Sequence, residues 1–423
     1  MSGLDGFFRR LVLDRLRGLD HGRLTILEDG QVHAFGRPQS EPAATLRILD
    51  PSVWRQAALG GSIGAGEAYA LGHWESDDLA EVARIFCGDR DLNLGMERGL
   101  ARVGGAIARW LHTFRRNHRK GSRRNISAHY DVGNDFFERV LDESMTYSSG
   151  VYEHANASLA EAQTHKYDKI CRKLRIRPED HVLEIGTGWG GFAIHAAQRY
   201  GCRVTTTTIS RQQYELAVER VRAAGLESRI EILFEDYRDL EGQYDKLVSI
   251  EMIEAVGHSF YNDFFRACGE RVRPNGLMLL QAITVPDREY DRCRRSVDFI
   301  KKHIFPGCCI PSVQVMQNAV AETSEMRFLD LEDITPHYAR TLREWRENMD
   351  AHLDEIRGRN YSEEFLRLWR FYFAYCEGGF TERAISVGQL LWAGPQWRSD
   401  PVDASRLTGE TAGAISSTAG GST

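Results

Sequence analysis

The spacing of apolar residues changes along the chain, and the change marks out its parts. From about residue 160 to 285 five short apolar runs, largely β-branched, are separated by helix-like stretches: "HVLEIGTG", "CRVTTTTIS", "RIEILFED", "KLVSIEMI" and "GLMLLQAIT". Runs of that length between longer amphipathic segments predict parallel strands joined by crossover helices, a doubly wound α/β sheet. Upstream, "GRLTILEDGQVHAFG" alternates apolar and polar residues on either side of Asp29-Gly30, which predicts a hairpin. "GSIGAGEAYALGHWESDDLAEVARIF" reads as a glycine-rich turn feeding helices, and residues 286–395 as a mostly helical, aromatic-rich segment. The expected organisation is a small mixed N-terminal domain over 1–105, a basic linker over 106–128, an α/β domain over 129–398, and a disordered tail over 399–423, where "GETAGAISSTAGGST" is small and polar.

Composition narrows the class. The chain has 423 residues, 42% hydrophobic and 27% charged, with a net charge of −6, which describes a globular protein without a surface built for nucleic acid. Eight scattered cysteines include no CxxC pair, so neither a zinc knuckle nor a disulfide scaffold is expected, and no metal. A reduced, cytoplasmic setting is the expectation. The longest uncharged apolar-rich run, "GLMLLQAITV", is far short of the roughly 20 residues that span a bilayer. The first helix interleaves Phe7, Phe8, Leu11, Val12, Leu13 and Leu16 with arginines; it suits either packing on its own domain or lying on a membrane surface. A basic strip from Arg98 to Arg124, with Trp110 and Phe114 interleaved, suits anionic lipid headgroups if it is more than a solvated linker.

The candidate chemistry begins at "VLEIGTGWGGF". Glu184, Gly186, Gly188, Gly190 and Gly191 follow the first strand of the sheet, where glycines let backbone N–H groups approach a ligand. The E-x-G-x-G-x-G pattern differs from the G-x-G-x-x-G dinucleotide fingerprint and is typical of S-adenosylmethionine (SAM) methyltransferases. The second strand ends with Thr208, Ser210 and Gln213 and the third with Asp236 and Tyr237, which could meet the adenine. Glu254, after the fourth, stands where ligands bind in such sheets.

These segments, together with "AHYDVGNDFFERVLDESMTYSSGVY", "EMIEAVGHSFYNDFF", "IFPGCCIPS" and "ITPHYARTLREW", resemble the cyclopropane-fatty-acyl-phospholipid synthases, which are similar in turn to the mycolic-acid cyclopropane synthases. The resemblance covers about residues 10–395 and implies a Rossmann-like SAM methyltransferase sheet with a helical insertion. It implies an unsaturated phospholipid acyl chain as substrate, a peripheral place on the inner face of the membrane, and the option of a homodimer. Tyr147, Ser148, Gly186, Gly188, Thr208, Ile209, Gln213 and Ile250 would line the SAM site, with Asp236 and Tyr237 as neighbours. In that family the double bond attacks the SAM methyl group, and the proton is thought to leave to a bound bicarbonate. The four groups around that anion correspond to Glu254, Tyr338, Ser149 and Gln281 here, and the last two depart from the family's cysteine and histidine. Serine and amide still hydrogen-bond an anion, but the charge and proton-shuttling of histidine are lost. A weaker anion site would give the cation time for a hydride shift, so a methylene or methyl-branched chain is expected ahead of a cyclopropane. A soluble small-molecule methyltransferase and a non-catalytic lipid-binding paralogue are the remaining alternatives. Cys309 and Cys376 fall on the family's cysteine positions and read as structural.

Overall fold

A computed structural model describes residues 3–89 and 132–398. The expected basic strip and tail lie outside the described residues.

Helix α1 (Gly3–Leu16) buries Phe8, Val12, Leu13 and Leu16 in its own unit and leaves Leu4 and Phe7 exposed, so its apolar stripe is mostly spent on internal packing. The hairpin forms as expected: β1 (Arg23–Glu28) and β2 (Gln31–Gly36) turn at Asp29 and Gly30, both at positive φ. Strands β3 (Ala43–Ile48) and β4 (Trp74–Ser76) complete a four-stranded sheet in the order β2-β1-β3-β4. Between them α2 (Ser52–Ala70) runs straight through the glycine-rich stretch expected to be a turn, broken only at Gly61, and α3 (Leu79–Gly88) follows with Asp78 as its N-cap. The helix tolerates these glycines because close packing wants them. A side chain at Gly66 would strike Phe299 and Phe371.

Helices α4 (Asn134–Val140) and α5 (Leu159–Lys173) lead into the main sheet, α5 starting at a Ser158/Glu161 capping box. Strands β5 (His181–Ile185), β6 (Arg203–Thr207), β7 (Ile230–Leu233), β8 (Tyr244–Ile250) and β9 (Val272–Thr284) are the five expected runs. They are joined by α6 (Gly191–Tyr200), α7 (Arg211–Ala223) and α8 (Tyr261–Arg271). The segment expected to be mostly helical adds α9 (Asp287–Arg295), α10 (Val313–Thr323), α11 (Thr335–Ala351), α12 (Leu353–Arg357) and α13 (Glu363–Thr381). It also supplies two strands, β10 (Arg327–Asp333) and β11 (Ser386–Ala393), which extend the sheet antiparallel. The seven strands lie in the order β10-β11-β9-β8-β5-β6-β7. From β5 the winding runs outward through β6 and β7, then returns to β8 on the other side of β5 and runs on to β9, so the C-terminal ends of the parallel strands β5 and β8 form the switch point at which such sheets bind ligands. Above that edge α4, α11 and α13 pack an aromatic core: Phe136 lies 4.8 Å from Trp369, and Phe137 5.0 Å from Trp189.

Candidate active site

One cavity opens at the switch point. Its floor is the loop after β5, where Gly186 (φ +102°) and Gly188 (φ +52°) take conformations that favour glycine. A side-chain carbon at Gly188 would meet no atom within 4 Å, so its backbone looks onto open cavity. Loop geometry follows from β6: the Gly186 and Thr187 N–H groups both donate to Thr207 O. Behind the floor the buried Glu184 accepts from Thr206 Oγ1 at 2.6 Å, and burial pushes its carboxyl up to about 8.

All ten residues expected at the cofactor line this cavity: Tyr147, Ser148, Gly186, Gly188, Thr208, Ile209, Gln213, Asp236, Tyr237 and Ile250. Thr208 Oγ1 donates to Gln213 Oε1 at 2.9 Å, and Ser210 caps α7, so this wall is held in place from within. Asp236 is paired bidentately with Arg238, which also lies over the Tyr237 ring. Ser148 Oγ accepts from Lys166 Nζ at 2.7 Å. That lysine has no solvent access, rests 4.4 Å from the Tyr167 ring centroid, and is pulled down to about 7 by burial. The glycine loop, the polar end of β6 and the Asp236 turn together fit SAM: the loop would hold its amino-acid end, and the Thr208 and Asp236 segments would meet its nucleoside.

The four residues expected around an anion divide. Glu254 and Tyr338 line the cavity, whereas Ser149 and Gln281 are wholly buried behind it. What Tyr338, Ser149 and Gln281 converge on is Glu251, a residue that sequence reasoning passed over. Its Oε1 accepts from Ser149 N at 2.9 Å and from Gln281 Nε2 at 2.8 Å, and its Oε2 from Tyr338 OH at 2.6 Å. The Ser149 hydroxyl is turned away, donating to Gly150 O. Glu254 is separate: its Oε1 accepts from Ile283 N at 2.5 Å, and its Oε2 has no hydrogen-bond partner among the described residues. Desolvation raises both carboxyls. Glu251 is drawn back by its three donors and by Lys166, while the charge of Glu251 adds to the rise of Glu254, which reaches about 8. Burial thus favours the protonated form of both carboxyls, and the neighbouring charge of Glu251 favours it further at Glu254.

Beyond the carboxyls the cavity continues as an apolar arm walled by Ile300, Phe305, Leu342, Tyr372 and Phe380, with Cys87, Cys308 and Cys376 along it. Cys376 thus lines the cavity, while Cys309 is built into the scaffold: its N–H donates to Glu254 O and its carbonyl accepts from Tyr261 OH. Among the described residues no helix is long and apolar enough to cross a membrane.

Comparison with known proteins agrees with this geometry. The family model for mycolic acid cyclopropane synthetase matches residues 117–390. The chain belongs to that family. It is 39% identical over 380 residues to tuberculostearic acid methyltransferase UfaA1 of Mycobacterium tuberculosis, covering 88% of each chain. It is 36% identical over 360 residues to the cyclopropane-fatty-acyl-phospholipid synthase of Escherichia coli K12, covering 83% of this chain and 88% of the relative. The mycolic acid cyclopropane synthase CmaA1, solved with SAH and CTAB, superposes with a TM-score of 0.60 at 28% identity, over 64% of this chain and 98% of its own. The protein is accordingly a SAM-dependent methyltransferase of the cyclopropane and methyl-branching fatty-acyl family, on a Rossmann-like sheet, with SAM as methyl donor. Bicarbonate, by contrast, does not fit: the Tyr338 hydroxyl and the Gln281 amide, both expected at the anion, already donate to Glu251, and the Ser149 hydroxyl donates to Gly150 O.

Proposed function

We propose that this enzyme methylates the cis double bond of an unsaturated acyl chain in membrane phospholipid and releases a methylene-branched chain. The observation that carries the reading is the continuity of the cavity: the glycine loop shares one cavity with an apolar arm lined by Ile300, Leu342, Phe380 and Cys87. A polar small molecule would have no use for that arm, and an acyl chain would.

Bound SAM supplies an electrophilic methyl group to the alkene. The protein's part is to orient, to exclude water and to accept a proton. Tyr147, Phe305, Tyr338, Tyr372 and Phe380 line the cavity, and any of their ring faces turned to the reacting carbons would favour positive charge on the chain by about 0.5–2 kcal/mol. Gln281 in place of a titrating histidine lets the cation persist for a hydride shift before the proton leaves. The relative named for tuberculostearic acid supports branching. A second reading, closure to a cyclopropane, is favoured by the name of the E. coli relative. The exposed Leu4 and Phe7 on α1 suit contact with the bilayer that holds the substrate.

Expression in a bacterium rich in monounsaturated phospholipids, followed by mass spectrometry and proton NMR of the fatty acid methyl esters, tests the reading. The expected result is a gain of one CH2 with vinylidene protons. Ring protons would replace branching by cyclopropanation, and no gain would refute the reaction class.

A further inference from the structure

We propose that the Glu251 carboxylate is the built-in base of this enzyme, standing where its relatives' mechanism calls for an external anion. The proposal rests on the reaction class above. Its first support is occupancy. An anion at this place would need the Ser149 N–H, the Gln281 amide and the Tyr338 hydroxyl, and all three already point at Glu251 within 2.6–2.9 Å. The second is electrostatic. An added anion about 4 Å from a carboxylate is opposed by roughly 4 kcal/mol at the effective dielectric of a protein interior, and Glu254 stands close enough to feel the charge of Glu251 as well.

The third support is strain. Glu251 has φ +50°, the left-handed region, which costs a non-glycine residue about 1–2 kcal/mol. The conformation turns its side chain from the end of β8 back toward the buried Ser149 and Gln281. Three hydrogen bonds to a charged group, at about 1.5–3 kcal/mol each, exceed that cost. Such an arrangement persists because the surroundings hold it, and it holds a carboxylate at the cavity wall, where Glu251 is accessible and Ser149 and Gln281 are not.

The step balances without a further reagent. After the hydride shift the cationic carbon bears the added methyl; a C–H bond of that methyl breaks, its electron pair forms the new π bond, and the proton passes to a Glu251 oxygen (without the shift, the same electron pair would close the three-membered ring). Tyr338 and Gln281 act as positioning residues that keep the carboxylate charged until then. The proton returns to solvent after product release.

The test uses the full-length protein, vesicles of monounsaturated phospholipid, and buffer either freed of carbon dioxide or supplemented with bicarbonate. Wild type is expected to turn over equally in both. Glu251→Gln should lose about 100-fold or more, the usual contribution of a general base, with the SAM dissociation constant little changed. Glu251→Gly relieves the backbone strain, so it should fold, lose activity, and recover about tenfold or more with added bicarbonate. Carbon-13 NMR on protein without SAM gives an independent readout: labelled bicarbonate should bind the glycine variant and not wild type. Bicarbonate-dependent turnover and binding by wild type, or undiminished turnover by Glu251→Gln, would overturn the proposal. Absence of wild-type turnover on every unsaturated vesicle would instead count against the reaction class, and labelled bicarbonate bound by wild type would still refute the role of Glu251.

Discussion

Gln389 Nε2 donates to Gln281 Oε1 at 3.0 Å, which leaves the NH2 end of Gln281 to face Glu251. The two glutamines sit opposite each other in the β9–β11 pairing. Replacing Gln389 by Leu should free the Gln281 amide to turn and weaken one donor to Glu251. The groups facing Glu251 are Tyr338, the Gln281 amide, Ser149 N–H, Lys166 and Glu254; the first four favour its charged form. Losing a donor raises the Glu251 pKa, and a base works only when deprotonated, so the acid limb of the pH–rate profile should move to higher pH. Tyr338→Phe should move it the same way. SAM affinity, measured by calorimetry, should hold in both.

Glu254→Gln separates the two carboxyls. At neutral pH Glu254 is held protonated, so glutamine copies its charge, and turnover should fall by about tenfold or less, against about 100-fold or more for Glu251→Gln. The folded state keeps a proton up to about pH 8 that the unfolded chain loses near 4.5, so this contribution to stability is full below 4.5 and is lost as pH rises through 8. Melting temperatures of wild type relative to the variant should therefore decline across that window.

Lys166→Met probes the opposite case. The folded-state pKa is near 7 against 10.5 unfolded, so the unfolded chain binds the extra proton between those values. Wild-type stability relative to the methionine variant should rise with pH from 7 towards 10.5, and thermal unfolding at two pH values would show it. Ser148 and the Gln163 carbonyl oxygen lose their donor in the variant, which should also weaken SAM binding severalfold.

Cys376→Phe should narrow the apolar arm while leaving the glycine loop untouched. The expected outcome is unchanged SAM affinity with turnover shifted towards shorter acyl chains, read by competition between vesicles of different chain length. Equal loss for all lengths would place Cys376 outside the chain's path.

Four of the five parallel strands were legible because each is a mostly buried run long enough to cross a sheet, whereas β7, only four residues with Glu231 exposed, was legible from its apolar, β-branched residues alone. Strand β10 was not: "RFLDLED" is an edge strand with five of its seven residues exposed, and its charges mask the pattern. Strand β11 hid behind the aromatic helix that precedes it. The residues expected at the cofactor were chosen through their motif, and all ten line one cavity. Glu251 was not, although "SIEMIEAVG" carries two acids. Sequence spacing gives no reason to choose between them, because the choice is made by a left-handed backbone turn at Glu251 that no side-chain pattern announces.

The tight seam between α3 and α13 has a consequence for how this enzyme could be taken apart. A side-chain carbon at Gly378 would lie 2.6 Å from Ala83 Cβ, Arg84 bonds Glu382 at 2.8 Å, and Cys87 at the end of α3 reaches the catalytic cavity. The family match begins at residue 117, yet Cys87, which precedes it, lines the candidate cavity. Trimming the chain to its recognisable core would unroof the chamber and let water reach a carbocation, so the minimal catalyst here is larger than the minimal motif.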